Sequence, residues 1–247
     1  MRDRSDRARL RAWSAWWSRR LGTRGCAVRV EIGPGVRLRG GLPVVEVPEW
    51  GRAPSELTVR FGAGVELGRG VVLELRGAEM ELELGEGTQL GPGVRVVLDG
   101  GAVRTGAHCL VRDGATLKSS GTLALGATVK VGYGSVVHAA EHVHIADRCV
   151  LAERVSVIDS DHNPSTDGTY SQDTGLAVDP VELGPNVLVS AGASVLRGAA
   201  IGANSVVAAG AVVRGGTYPE GSTLAGIPAR PLGDHAAADA NPTNHPL

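Results

Sequence analysis

Between Leu183 and Val213 an aliphatic side chain returns every six residues, at Leu183, Val189, Val195, Ile201, Val207 and Val213. Four residues after each comes a small or β-branched residue (Val187, Ala193, Ala199, Ser205, Ala211, Thr217), with Gly, Asn and Arg between. A helix repeats at about 3.6 residues and a strand at about 2, and neither keeps a six-residue beat in register over many cycles. Very short strands joined by tight turns do. Three hexapeptides then close a triangular coil of about 18 residues that hydrogen-bonds onto the next.

Projected backwards, the beat yields the triplets Ile32/Leu38/Val44, Phe61/Leu67/Leu73, Leu84/Leu90/Val96, Thr105/Val111/Leu117, Leu125/Val131/Val137 and Ile145/Leu151/Val157. Together with Leu183/Val189/Val195 and Ile201/Val207/Val213 these predict a solenoid of eight coils. The spacing lengthens only between triplets, which places every insertion on one edge of the prism. Residues 28–60 fit worst, and Pro43, Pro48, Trp50 and Pro54 predict an irregular loop there. One step is far longer than the rest: 26 residues separate Val157 from Leu183, so an excursion over 158–182 leaves the body. A long polar loop on an economical scaffold is a natural place for function. It opens with Asp159-Ser-Asp161-His162-Asn163, an imidazole flanked by carboxylates. Such a histidine suits proton transfer near neutral pH, and a neighbouring carboxylate such as Asp161 would fix its tautomer. A solvated loop histidine without a role is the plain alternative.

Ahead of the solenoid, residues 1–25 hold eight arginines against Asp3 and Asp6, with Leu10, Trp13, Trp16, Trp17 and Leu21 near one helical face. Two readings fit an amphipathic helix over 1–27. It can cap the open end of the solenoid or pack on another subunit, or it can lie on an anionic membrane surface as a peripheral contact. Behind the solenoid, 218–233 reads as a closing segment and 234–247 as a disordered tail.

Composition agrees with a thin aliphatic interior: 36 of 247 residues are Gly, and Phe, Trp and Tyr number one, four and three. A formal net charge of −1 gives no global field for nucleic acid. Cys26, Cys109 and Cys149 have no disulfide or CxxC spacing, which predicts buried thiols in a cytoplasmic protein. No apolar run approaches the length of a membrane span.

The text Ile145-Ala-Asp-Arg-Cys-Val-Leu-Ala-Glu-Arg-Val-Ser-Val-Ile-Asp-Ser-Asp-His-Asn163, then Val181-Glu-Leu-Gly-Pro-Asn-Val187, Ile201-Gly-Ala-Asn-Ser-Val-Val-Ala-Ala-Gly-Ala211 and Ala225-Gly-Ile-Pro-Ala-Arg230 resembles the hexapeptide-repeat acyltransferases. The similarity spans residues 125–232 and points to the sugar O-acetyltransferase branch that includes the maltose and galactoside enzymes. The resemblance implies an all-β, left-handed parallel β-helix and a homotrimer with active sites between subunits. It implies acetyl-CoA as co-substrate and a sugar, glycan or other small-molecule hydroxyl as acceptor. His162 falls on the family's catalytic histidine, the general base, with Asp161 beside it. Ala191 and Ala209 fall where the backbone lines the pantetheine channel, although the repeat favours small residues there anyway. Arg214 and Arg230 are candidates for the cofactor's phosphates, or ordinary surface arginines. His138 and Tyr133 are candidates for the acceptor side.

The chain also departs from the pattern. Gly132-Tyr133-Gly134 lacks the acceptor-binding Asn, Val187-Leu188-Val189-Ser190 lacks a cofactor-side Trp, and Pro164 replaces a second His. His138, His142 and His144, at spacings of four and two, do not reproduce the zinc-binding pattern of hexapeptide-type carbonic anhydrases, so no metal is expected. N-acylation of an amino sugar and a non-catalytic scaffold stand as alternatives.

Overall fold

The structure is a computed structural model that describes residues 2–49 and 54–232; Trp50 and the 234–247 tail fall outside the described residues. Its body is a β-solenoid of about eight turns. Three parallel sheets form it, and we call them first, second and third in the order the chain enters them. The first has nine strands, from Ala27–Ile32 to Gly216–Tyr218. The second runs from Arg37–Leu38 to Thr223–Gly226, and the third from Val44–Glu46 to Val212–Val213. Strands are two to six residues long. They are short because each coil must turn before it outgrows its face.

The six-residue beat is the inward column of each sheet. Ile32, Phe61, Leu84, Thr105, Leu125, Ile145, Leu183 and Ile201 stand in register in the first sheet. Side chains alternate in and out along the strands, so each two-residue strand places one residue, and a long one such as Glu56–Phe61 three (Leu57, Val59, Phe61), into a narrow core that is almost fully buried. Thr105 is the polar member. Its hydroxyl accepts the Gly85 N–H at 3.0 Å and meets Thr88 Oγ1 at 3.2 Å, so the hydroxyl is satisfied inside the stack. Cys109 and Cys149 occupy a turn column, donate to the carbonyls of Gly126 and Gly184, and have their thiol pKa values pushed up by burial.

One inward position differs from expectation. Val45, not Val44, pairs with Leu73, and Val44 is 48% exposed. The turn after Leu38 holds one extra residue, so that Pro43 is buried at the corner and every later residue shifts by one.

Residues Arg2–Gly22 form a single helix, α1, with no internal proline or glycine. Leu10, Trp13, Trp17 and Leu21 recur at helical spacing and face the first coil, Leu10 and Leu21 completely buried. The chain turns out of the helix at Gly25, whose φ of 83° lets the Cys26 N–H return to the Leu21 carbonyl. The helix stands in for a missing coil. Asp6 Oδ2 accepts the edge N–H of Leu38 at 3.1 Å, and Trp13 Nε1 donates to the Pro43 carbonyl at 3.1 Å. An edge that would otherwise offer unpaired backbone groups is thereby covered. Trp16 remains outside, half-exposed against Trp17 and Arg20. At the other end Ala229–Leu232 folds back antiparallel on Thr223–Gly226 and closes the second sheet.

The excursion leaves at the edge between the third and first sheets. Sequence predicted a loop throughout, but its root is a two-stranded antiparallel ribbon, Ser160–His162 with Leu176–Val178. Among the described residues no helix is long and apolar enough to cross a membrane. Truncating Leu10 to Ala should lower stability by about 3 kcal/mol, because it empties a fully buried site between helix and coil. Equilibrium denaturation against the parent chain measures this, and an unchanged midpoint would show that the helix does not close the stack.

Candidate functional site

The ribbon is rooted in the buried Asp159. Its carboxylate accepts three backbone N–H groups of the preceding coil's corner: Ala140 to Oδ1 at 2.6 Å, and Glu141 and His142 to Oδ2 at 2.8 Å each. Its own carbonyl accepts the Asp179 N–H at 2.9 Å, joining the two legs of the excursion. Asp161 follows with its carboxylate on Arg197 Nε at 2.8 Å. Then comes His162, exposed, its backbone opposite Leu176. Neighbouring residues on a strand point to opposite sides, so Asp161 and His162 face away from each other. The carboxylates expected to flank the imidazole are therefore occupied elsewhere. Beyond His162, Asn163 and Thr174 close the loop on each other: Asn163 Nδ2 donates to the Thr174 carbonyl at 2.9 Å and Thr174 Oγ1 to the Asn163 carbonyl at 2.6 Å.

On the side of Asp161 lies a hollow of about 420 Å³ lined by Asp161, Asp179, Leu196, Arg197, Arg214 and Gly215. Arg214 thus belongs to the ribbon's edge. Ala191 and Ala209 lie on another edge, at the turns between the second and third sheets, in one row with Tyr133. The Arg112 guanidinium sits 5.5 Å from the Tyr133 ring centre. Arg230 is on the C-terminal strand, where Nη1 donates to the Ala229 carbonyl. His138 is on the third sheet, between Lys118 and Ile158 in register. The chain therefore groups Asp161, His162 and Arg214 on one edge and Tyr133, Ala191 and Ala209 on another, with the third sheet between.

Arg197 and Asp179 carry no weight in a motif reading, yet a register count reaches Arg197. It lies two residues past the inward Val195, as Asp159 lies two past Val157, so the two occupy equivalent corners of successive coils. On the first sheet, the Glu182 carboxylate lies between two imidazoles, with His142 Nε2 at 3.2 Å and His144 Nδ1 at 2.9 Å. Among the described residues no group of three or more His, Cys, Asp or Glu is placed to hold a metal ion.

Residues 180–215 match the family described as bacterial transferase hexapeptide (six repeats). The chain is thus a β-solenoid whose hexapeptide repeat over residues 180–215 matches that family. No curated protein matches the chain in sequence. Among solved structures it is similar to the polySia-specific acetyltransferase NeuO, at 18% identity over 90% of this chain and 93% of that one, with a TM-score of 0.46. It is also similar to AntD, an N-acyltransferase from Bacillus cereus in complex with dTDP-4-amino-4,6-dideoxyglucose and coenzyme A, at 13% identity over 61% and 81%, TM-score 0.49. A third likeness is to a hexapeptide-repeat-containing acetyltransferase from Vibrio cholerae O1 biovar eltor complexed with acetyl coenzyme A, at 22% identity over 62% and 70%, TM-score 0.42.

His138 has its pKa held below the ordinary imidazole value, first by burial and then by the Lys118 charge, with Arg76 adding and Asp159 and Asp99 opposing. The folded chain therefore binds this proton less readily than the unfolded one, and stability falls as pH drops through about 6.5. Denaturation midpoints at pH 7 and pH 5 should differ less for His138→Gln than for the parent. Equal differences would show that His138 does not contribute to the acid sensitivity.

Proposed function

We propose that this protein is a CoA-dependent O-acyltransferase, with acetyl-CoA as donor and a hydroxyl of a sugar, polysaccharide or glycolipid as acceptor. The observation that carries the reading is His162, held out on an anchored ribbon at the edge of a transferase-type hexapeptide solenoid. An exposed imidazole on an anchored root has the reach for the work. His162 would take the proton from the acceptor hydroxyl as its oxygen attacks the thioester carbonyl, hold it, and return it to the departing sulfur. Backbone N–H groups are the natural partners for the oxyanion of such an attack.

The row of Ala191 and Ala209 fits a long thioester arm. Gly192 and Gly210 follow them at φ of 69° and 67°, and an added Cβ at either would meet nothing within 4 Å. The strip is thus open backbone flanked by methyl groups. Arg214 and Arg230 are proposed for the phosphates, and His138 and Tyr133 for the acceptor. When bound, the donor supplies the activated acyl group, and the chain's own part is to orient it and move one proton.

Because His162 and the Ala191/Ala209 row lie on different edges of one chain, the reading includes a homotrimer in which each ribbon faces its neighbour's row. The N-acyltransferase neighbour keeps the amino-sugar acceptor as a second reading, and an acceptor panel with hydroxyl and amino sugars separates the two.

Release of free CoA from acetyl-CoA over that panel should fall about 10²–10⁴-fold in His162→Ala. Full turnover in this variant would remove His162 from the mechanism, and no CoA release by the parent chain with any acceptor would favour a scaffold. Ala209→Arg adds a large side chain to the exposed strip and should likewise be inactive. Mixed oligomers of His162→Ala and Ala209→Arg chains should recover part of the parent activity, since some interfaces then carry an intact histidine opposite an intact row. Absence of recovery in verified mixtures would place the site within one chain.

A further inference from the structure

We propose that Asp159 and the Asp161–Arg197 pair are positioning residues, a two-sided clamp that fixes the His162 ribbon between successive coils. The inference rests on the reading of His162 as the base. Along the edge where the ribbon departs, each coil contributes one residue two past its inward third-sheet position. Leu75, Leu98, Ser119 and Ala139 fill this row in earlier coils, and Gly215 in the last. Only at the excursion does the row turn charged, with Asp159 in the coil the ribbon leaves and Arg197 in the coil it precedes. The two charges do different things. Asp159 is buried and spends both oxygens on the N–H groups of 140–142, which ties the ribbon to the coil before. Arg197 takes the Asp161 carboxylate, and the Gly198 N–H donates to the Asp179 carbonyl at 2.9 Å, which tie it to the coil after.

A ribbon of three residue pairs has little stability of its own. Without both ties His162 would swing with the loop, and displacement of a reacting group by about 1 Å can cost about 10²-fold in rate. Strand alternation turns Asp161 away from His162, so Asp161 acts through the ribbon and not on the imidazole.

The test uses Arg197→Gln and Asp161→Asn, both exposed and remote from the core, with Asp159→Asn as the buried arm. Kinetics use acetyl-CoA and whichever panel acceptor the parent turns over, and native-state hydrogen exchange reads the ribbon amides. In Arg197→Gln, exchange of the ribbon amides should rise about tenfold while the coil amides stay protected. kcat should fall about tenfold with the KM for acetyl-CoA within about twofold. The exchanged pair Asp161→Arg/Arg197→Asp should regain most of the loss, and in a His162→Ala background Arg197→Gln should cost nothing further. An unchanged kcat and unchanged ribbon exchange in Arg197→Gln would overturn the clamp, as would a full further loss on top of His162→Ala. If His162→Ala itself leaves turnover intact, the mechanism fails instead, while the exchange measurement still judges the clamp. Should Asp159→Asn fail to fold, the two exposed variants decide.

Discussion

Register between coils is the constraint on which everything else in this protein depends. Each short strand is hydrogen-bonded to the strand one coil earlier and one coil later at the same place on the same face. A residue inserted within a strand would turn every following side chain inside out, so extra chain can leave only at a corner. Backbones also come very close at the turns. A Cβ added at Gly121 would run into the Glu141 backbone and one at Gly132 into that of Ala152, which leaves glycine as the residue that fits. At Asn186 and Asn204, with φ of 59° and 57°, the side chains compensate for the strained turn: Asn186 Nδ2 donates to Asn204 Oδ1, and Asn204 Nδ2 to Glu220 Oε1.

The same constraint creates the problem of ends. A stack whose coils satisfy one another leaves its first and last backbones unsatisfied, and the two ends are closed by different means. Helix α1 supplies apolar area through Leu10, Trp13, Trp17 and Leu21 and one carboxylate, Asp6, for an edge N–H. The C-terminal chain turns back and pairs with its own last coil. Arg9, Arg11, Arg19 and Arg20 of α1 lie on its exposed sides.

Much of this was legible in the residues because a solenoid writes its packing as a period. The beat located the inward columns, the gaps located the edge that carries the excursion, and the helix followed from Leu10, Trp13, Trp17 and Leu21. The failures have equally local causes. Val44 took the place of Val45 because a six-residue count has no way to see one extra residue in the turn that buries Pro43. Adjacency in sequence reads as adjacency in space and pairs Asp161 with His162, whereas a strand sends neighbours to opposite sides. The grouping of site residues on two edges needed the corner to which each turn belongs, and Arg197 needed a register count across the 26-residue gap.

On the proposed reading of His162 as the base, the ribbon separates two tasks that a reading of Asp-Ser-Asp-His as one catalytic unit would merge. A general base must keep a ring nitrogen open to its substrate and still be held in place. A carboxylate bonded to the ring would supply orientation at the cost of one nitrogen. On that reading orientation comes through the main chain, anchored by Asp159 and by Asp161 on Arg197. His162 lies three residues beyond Asp159, about 10 Å of extended strand, and Asp161 ties the intervening segment to Arg197. The lever is short, its root at Asp159 is buried, and its tip at His162 is exposed. With Asp161 engaged by Arg197, a tautomer-fixing partner for His162 would on this reading come from the acceptor or a neighbouring chain rather than from its own strand.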